Sequence, residues 1–244
     1  MPDKNVLIIG ASGGLGKHLT IGLANAGFNL ALHYNENREN LDKTLSEIKN
    51  SKLKLKTYRA DITNENEIEE MIKNVKQDFN SIDVLINNAG LSLNGMSWKL
   101  GLEDWNKVIS VNLTGPFLCT KHVLPLMREN NWGRIIYMSS VVSQIGVPGT
   151  AAYAATKAGL NGLCKTISKE IIKSNITANV ISLGYFEAGL LYQIPEDIRN
   201  QIKDSIPKKE FGNPNDVVEC ILYLCSENSG YITGQTININ GGLY

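Results

Sequence analysis

The chain has 244 residues, 43% of them hydrophobic, enough to bury one α/β core, and no Pro/Gly/Ser-rich linker or charge block divides it. Lys plus Arg and Asp plus Glu both total 24, so net charge gives no reason to expect nucleic acid or an acidic membrane surface as a partner. A small, locally recognised ligand fits better, no apolar run approaches the ~18 residues of a membrane span, and no internal repeat is visible.

Met1-Pro2-Asp3-Lys4-Asn5 runs straight into an apolar strand without the regions of a signal peptide, which predicts a cytoplasmic protein. In chain order the β-rich runs are Val6 to Ile9, Leu30 to His33, Leu53 to Arg59, Val84 to Asn87, Arg134 to Met138, Thr177 to Ile181 and Thr236 to Ile239. Helical periodicity fills the gaps, including a helix over Glu65 to Phe79. Such alternation predicts right-handed βαβ units. The expected architecture is α/β: a Rossmann-type, doubly wound parallel sheet of about seven strands with helices on both faces, in a single domain over residues 1–244.

Ligands of such sheets bind outside the carboxyl ends of the strands. The chemically interesting residues fall there: Gly10 after the first strand, Asp61 after the third, Asn87 to Gly90 after the fourth, Ser139 and Ser140 after the fifth, Gly184 after the sixth. Gly10-Ala11-Ser12-Gly13-Gly14-Leu15-Gly16 links the first strand to a helix as Gly-x3-Gly-x-Gly. Glycine suits a tight turn, lets a pyrophosphate approach main-chain N–H groups without meeting a Cβ, and opens a helix whose N-terminus is partly positive.

Ser140, Tyr153 and Lys157 form a second constellation, the last two four apart on one helix face. Nine tyrosines and nineteen lysines supply a Tyr-x-x-x-Lys pair by chance about 0.7 times, so the pair needs its surroundings. A free tyrosine has a pKa of about 10; a lysine cation beside it favours the phenolate and draws that pKa toward neutrality, making a proton donor to a carbonyl. Cys119, Cys164, Cys220 and Cys225 lack metal-ligand spacing, His18, His33 and His122 are scattered, and the cysteines read as reduced packing residues.

Gly10, Gly14 and Gly16, Asn87-Asn88-Ala89-Gly90, Asn112, Ser140, Tyr153 and Lys157 resemble, in order and over the whole length, the motif set of the short-chain dehydrogenase/reductase family. The ending, Tyr231-Ile232-Thr233-Gly234-Gln235 to Gly241-Gly242-Leu243-Tyr244, is similar to the 3-oxoacyl-(acyl-carrier-protein) reductase branch. The resemblance implies that Gly10, Ala11, Ser12, Gly13, Leu15 and Gly16 line a pyrophosphate, and that Asp61 and Ile62 border an adenine. It further implies that Asn88 and Gly90 lie along the cofactor, Phe186 reaches its carboxamide, and Tyr153 and Lys157 touch its nicotinamide ribose. Asp61 also reads as a turn or helix cap, and Asn87 and Asn88 as loop braces.

In the mechanism this implies, a nicotinamide dinucleotide delivers hydride to a carbonyl, Tyr153 gives the proton and Ser140 hydrogen-bonds the same oxygen. Asn112 resembles the family asparagine that anchors a water near Lys157, or is a helix-interior amide braced by backbone. Family spacing selects Ser140 over Ser139. At the end of the second strand Tyr34 stands where NAD-preferring relatives carry Asp, and Arg38 is able to reach a 2′-phosphate, whereas Gly13 replaces a basic residue of many NADPH users. The reading favours NADP(H) over NAD(H), with Arg38 as a solvated charge the alternative.

Two departures stand out. Leu183 and Ala188 replace the proline and threonine that most relatives carry after the sixth strand, which predicts a looser turn and a lost hydrogen bond. Substrate selectivity is assigned to Leu91 to Leu100, Val141 to Gly149 and a lid over about residues 185–211, with Gln144, Tyr185 and Tyr192 as polar contacts. Lys173 and Ser174 stand where carrier-protein reductases show a docking arginine. The expected function is NAD(P)-dependent interconversion of a carbonyl and a secondary alcohol, 3-oxoacyl thioesters first. The alternatives are a sugar, polyol or steroid alcohol dehydrogenase of the same fold and a non-catalytic dinucleotide sensor. Relatives pair the helices at Asn112 to Asn130 and Ala152 to Ser174 across an interface, which implies a homotetramer.

Overall fold

A computed structural model describes residues 4–244; Met1–Asp3, where the expectation of no leader falls in part, lie outside the described residues. β1 (Asn5–Ile9), β2 (Asn29–Tyr34), β3 (Leu55–Arg59), β4 (Val84–Asn87), β5 (Gly133–Ser140), β6 (Ile176–Leu183) and β7 (Thr236–Ile239) form one parallel sheet in the order β3-β2-β1-β4-β5-β6-β7. The order reverses between β1 and β4, which opens a crevice at their carboxyl ends.

β1 is buried at every residue, and its alternate side chains feed two cores. Leu7 and Ile9 face the layer of α3 (Glu65–Phe79), α5 (Gly115–Glu129) and α7 (Ala151–Glu170); Val6 and Ile8 face that of α1 (Gly14–Asn25) and α9 (Pro214–Leu224). Strands covered on both faces need continuous apolar runs, which made them legible. α3 starts where the Asn64 side chain accepts from the Asn66 N–H, buries Ile68, Met71, Ile72, Val75 and Phe79 along one stripe, and stops at left-handed Asn80.

α2 (Arg38–Ser46) follows β2, α4 (Leu102–Ile109) leads through a π-helical turn at Ser110–Thr114 into α5, and short α6 (Val142–Ile145) follows β5. Three strand boundaries differ from the sequence expectation by two residues, the others by at most one. β3 begins at Leu55, later than Leu53; β5 runs on through Ser139 and Ser140; β6 runs on through Leu183. The third corrects the looser turn expected from the missing proline: Leu183 continues the ladder beside Ser140 and Ile239, its carbonyl accepts from the Val141 N–H at 2.8 Å, and the Gly184 N–H donates to Ile239 at 2.8 Å. A residue with an amide N–H and no ring suits this place between two paired strands better than proline. The lid stretch contains a 3₁₀ turn at Gly189–Gln193 and α8 (Glu196–Ser205), tied at its root by Phe186 pairing with Gly212. No helix among the described residues is long and apolar enough to cross a membrane.

Candidate active site

The turn from β1 into α1 is built by contact. Gly10 has φ 81°, and a Cβ there would stand 2.7 Å from the Ala89 Cα. A Cβ on Gly16 would meet the Gly10 carbonyl oxygen at 2.4 Å, and one on Gly14 the Gly189 backbone at 2.4 Å, so the base of the lid lies on the start of α1. The N-cap residue, Gly13, offers no side-chain acceptor, and the first turn of α1 carries no acidic residue. The first-turn N–H groups of α1 and the positive end of its dipole are therefore uncompensated. A glycine-lined cradle of this kind fits the pyrophosphate of a dinucleotide. Ser12 is half-buried beside it, Ala11 is buried with its N–H on the His33 carbonyl at 2.9 Å, and Leu15 packs on the second core.

Two residues hold that turn. Asn88 donates from Nδ2 to the Gly10 carbonyl at 2.9 Å, so the bracing reading applies to it; the Asn87 amide is buried with neither atom hydrogen-bonded. His33, which sequence reading passed over, accepts the Gly10 N–H at Nδ1 (3.0 Å) and pairs through Nε2 with the Ala60 carbonyl (2.9 Å). A ring placed between a donor and an acceptor is neutral with its proton on Nε2, and burial pulls its pKa below the usual value. Its only sequence signal was its place at the end of an apolar run.

Asp61 takes the turn geometry: its Oδ1 accepts from the N–H and the hydroxyl of Thr63, both at 2.8 Å. Ile62 is buried against Gly115. Arg38 is exposed, with Nε on Asp42 at 2.8 Å and Nη1 3.4 Å from the Tyr34 hydroxyl. Phe186 is 7% exposed; its ring fills the space a Cβ on Gly212 would need, at 2.5 Å.

Ser140 ends β5 and Tyr153 and Lys157 lie one turn apart in α7, so strand and helix bring the three together. The Ser139 hydroxyl donates to the Lys157 carbonyl at 2.9 Å, a structural role that leaves Ser140 beside Tyr153. Lys157 is 4% exposed and its Nζ donates to the Met138 carbonyl at 2.7 Å, 5.4 Å from the centre of the Tyr153 ring. Burial pushes the Lys157 pKa down to about 8 and the Tyr153 pKa up to about 12, the second rise opposed by Ser140 and reinforced by Tyr185. This corrects the expected depression of the tyrosine by the lysine: the ammonium is turned to a strand carbonyl, and the phenol answers to burial first.

Asn112 is fully buried in the π-helical turn, where it clamps the backbone of Leu91: Oδ1 accepts its N–H at 2.9 Å and Nδ2 donates to its carbonyl at 2.8 Å. Nδ2 also lies 3.4 Å from the Thr156 hydroxyl, which donates to the Tyr153 carbonyl at 2.7 Å. A Cβ on Gly90 would come 3.4 Å from Asn112 Oδ1 and 3.5 Å from Lys157 Nζ, so the loop after β4 meets both. Gln144 is exposed on α6, and the Gly95 N–H to Gly149 bond at 2.9 Å joins two of the three stretches assigned to selectivity. Beyond the lid root lies a cavity of about 580 Å³ walled by Tyr185, Phe186, Ile206, Phe211, Ile239 and Asn240, among others. Burial pushes the thiols of Cys119, Cys164 and Cys225 up to about 12, consistent with inert packing.

A family model described as enoyl-(acyl carrier protein) reductase matches residues 10–244. The chain is 39% identical over 243 residues to a 3-oxoacyl-(acyl-carrier-protein) reductase of Thermotoga maritima, covering 100% of this chain and 98% of that one. It is 36% identical over 242 residues to one of Staphylococcus epidermidis, covering 99% of each. The crystal structure of a candidate short-chain alcohol dehydrogenase from Sinorhizobium meliloti 1021 superposes with a TM-score of 0.93 at 28% identity, over 100% of this chain and 97% of that one. Matched over nearly its whole length by the family model and by these relatives, the chain belongs to the short-chain dehydrogenase/reductase family and is one of its NAD(P)-dependent oxidoreductases.

Proposed function

We propose that the protein reduces the keto group of a 3-oxoacyl thioester to a secondary alcohol with NADPH. The observation that carries the reading is the meeting of Ser140, at the carboxyl end of β5, with Tyr153 near the start of α7 and Lys157 one turn on. The substrate class comes from the relatives named 3-oxoacyl-(acyl-carrier-protein) reductase. When bound, the dinucleotide supplies the hydride that reaches the carbonyl carbon.

The residues of the chain do the rest. Tyr153, half-buried and with its pKa raised by that burial, gives its proton to the oxygen that becomes an alkoxide, while Ser140 hydrogen-bonds that same oxygen. Lys157 turns from Met138 to the nicotinamide ribose and positions the cofactor. Asn112 fixes Leu91 and, through Thr156, the first turn of α7, so that the loop after β4 and the catalytic helix keep one spacing. Gln144 and Tyr185 contact substrate; Gly10, Ala11, Ser12, Gly13, Leu15 and Gly16 hold the pyrophosphate, Ile62 and Asp61 border the adenine, and Asn88, Gly90 and Phe186 flank the rest of the cofactor. The preference for NADPH rests on a tyrosine, not a carboxylate, at the end of β2 and on Arg38 beside it.

The protein acts in the cytoplasm as a homotetramer; exposed apolar Phe117 (44%) and Ile172 (63%), on the two stretches expected to pair, support the tetramer, and a sedimentation mass of one protomer would remove it. The test of function is initial rates with NADPH and NADH against acetoacetyl thioesters, diketones and sugars. Oxidation of NADPH by the thioesters above the other carbonyls is expected. Faster turnover of a sugar or diketone refutes the substrate class, and cofactor binding without turnover across the panel refutes the enzyme.

A further inference from the structure

The cationic group best placed for a ribose 2′-phosphate is one the sequence pattern did not single out. Parallel register sets Arg59, the last residue of β3, opposite Tyr34, the last residue of β2. Its Nε donates to the Asn35 carbonyl at 3.2 Å, which lays the stem across the turn between β2 and α2. The terminal nitrogens of the guanidinium make no hydrogen bond or ion pair among the described residues, and the side chain is exposed.

Arg38 is differently placed. Its Nε is committed to Asp42 at 2.8 Å and its Nη1 lies on the Tyr34 hydroxyl at 3.4 Å. A phosphate approaching Arg38 meets the Asp42 carboxylate on the same guanidinium, whereas at Arg59 it meets open N–H donors in a planar fork. Glu36 stands exposed in the same turn with no fixed partner, free to turn to solvent. The N-terminus of α2 adds little, since the Asn37 side chain already caps it and Glu39 lies in its first turn.

We propose that Arg59 is the principal contact for the 2′-phosphate and that Arg38 is its lesser partner, an inference that rests on the NADPH reading above. Calorimetric titration with NADP+, NAD+, adenosine 2′,5′-bisphosphate and AMP tests it on the wild-type protein, Arg59→Gln and Arg38→Gln. Arg59→Gln is expected to weaken NADP+ and the bisphosphate about tenfold or more, the worth of one hydrogen bond to a charged group. NAD+ and AMP stay within about twofold, the margin left by a contact they do not make, and Arg38→Gln costs less than Arg59→Gln. Retained NADP+ affinity in Arg59→Gln, an equal loss for both dinucleotides, or a larger loss in Arg38→Gln overturns the proposal while leaving the NADPH reading intact. A wild-type protein that binds NAD+ as tightly as NADP+ overturns the NADPH reading and this inference together.

Discussion

Replacing Lys157 by methionine should abolish turnover and yet make the ligand-free protein more stable. The ammonium is 4% exposed, and its pKa falls from 10.5 to about 8. Each unit of that fall is about 1.36 kcal/mol, so holding the charge inside costs the fold roughly 3 kcal/mol near neutrality. The bond from Nζ to the Met138 carbonyl returns about 1 kcal/mol, leaving a net gain of about 2 kcal/mol for a side chain of similar length without charge. The unfolded chain binds the proton up to pH 10.5 and the folded one only to about 8. Stability of the wild type therefore rises with pH across that window, and the full penalty is present below it. Urea denaturation of both proteins without cofactor, at pH 7 and near pH 10 and at one protein concentration, measures this directly. The variant should lead at pH 7, and the lead should shrink at the higher pH. A less stable variant at pH 7, or a difference that ignores pH, refutes the reasoning.

Three other outcomes follow from the same geometry. Asn112→Ala strands the N–H and carbonyl of Leu91 and should cost about 2–4 kcal/mol by denaturant titration; a loss under 1 kcal/mol contradicts the clamp. Gly14→Ala drives a methyl into the Gly189 backbone, so the lid should lift, with faster proteolysis between residues 189 and 205 and a stability loss of about 1–3 kcal/mol; an unchanged cleavage pattern argues against the packing. His33 has its pKa depressed below 6.5, so the unfolded chain takes up its proton first and stability should fall as pH drops through that value. His33→Asn should lose less over the same range by urea midpoint, and equal slopes would sink the assignment.

How much was legible in advance depended on what each residue does alone. β1 and β4 are buried on both faces, and their apolar runs showed in the sequence to within a residue; α3 showed over its full span from Glu65 to Phe79, although its cap is Asn64 and not Asp61. The carboxyl ends of β5 and β6 run past the sequence expectation because Ser139, Ser140 and Leu183 owe their strand character to neighbouring strands, a property of pairing rather than propensity. Ser140, Tyr153 and Lys157 were found by spacing, but the direction of Nζ was not, since it depends on where the Met138 carbonyl stands. His33 and Arg59 stayed hidden for the same reason: each gains its role from a partner on an adjacent strand or loop.

The central claim is that Tyr153 is the proton donor of a carbonyl reductase. It is tested by single-substrate rates of NADPH oxidation with an acetoacetyl thioester, for the wild type and Tyr153→Phe, with NADPH affinity measured alongside. A positioned acid is worth about 10²–10⁴-fold, so the phenylalanine variant should lose that much in kcat while binding NADPH within about twofold of wild type. Turnover undiminished in Tyr153→Phe contradicts the account.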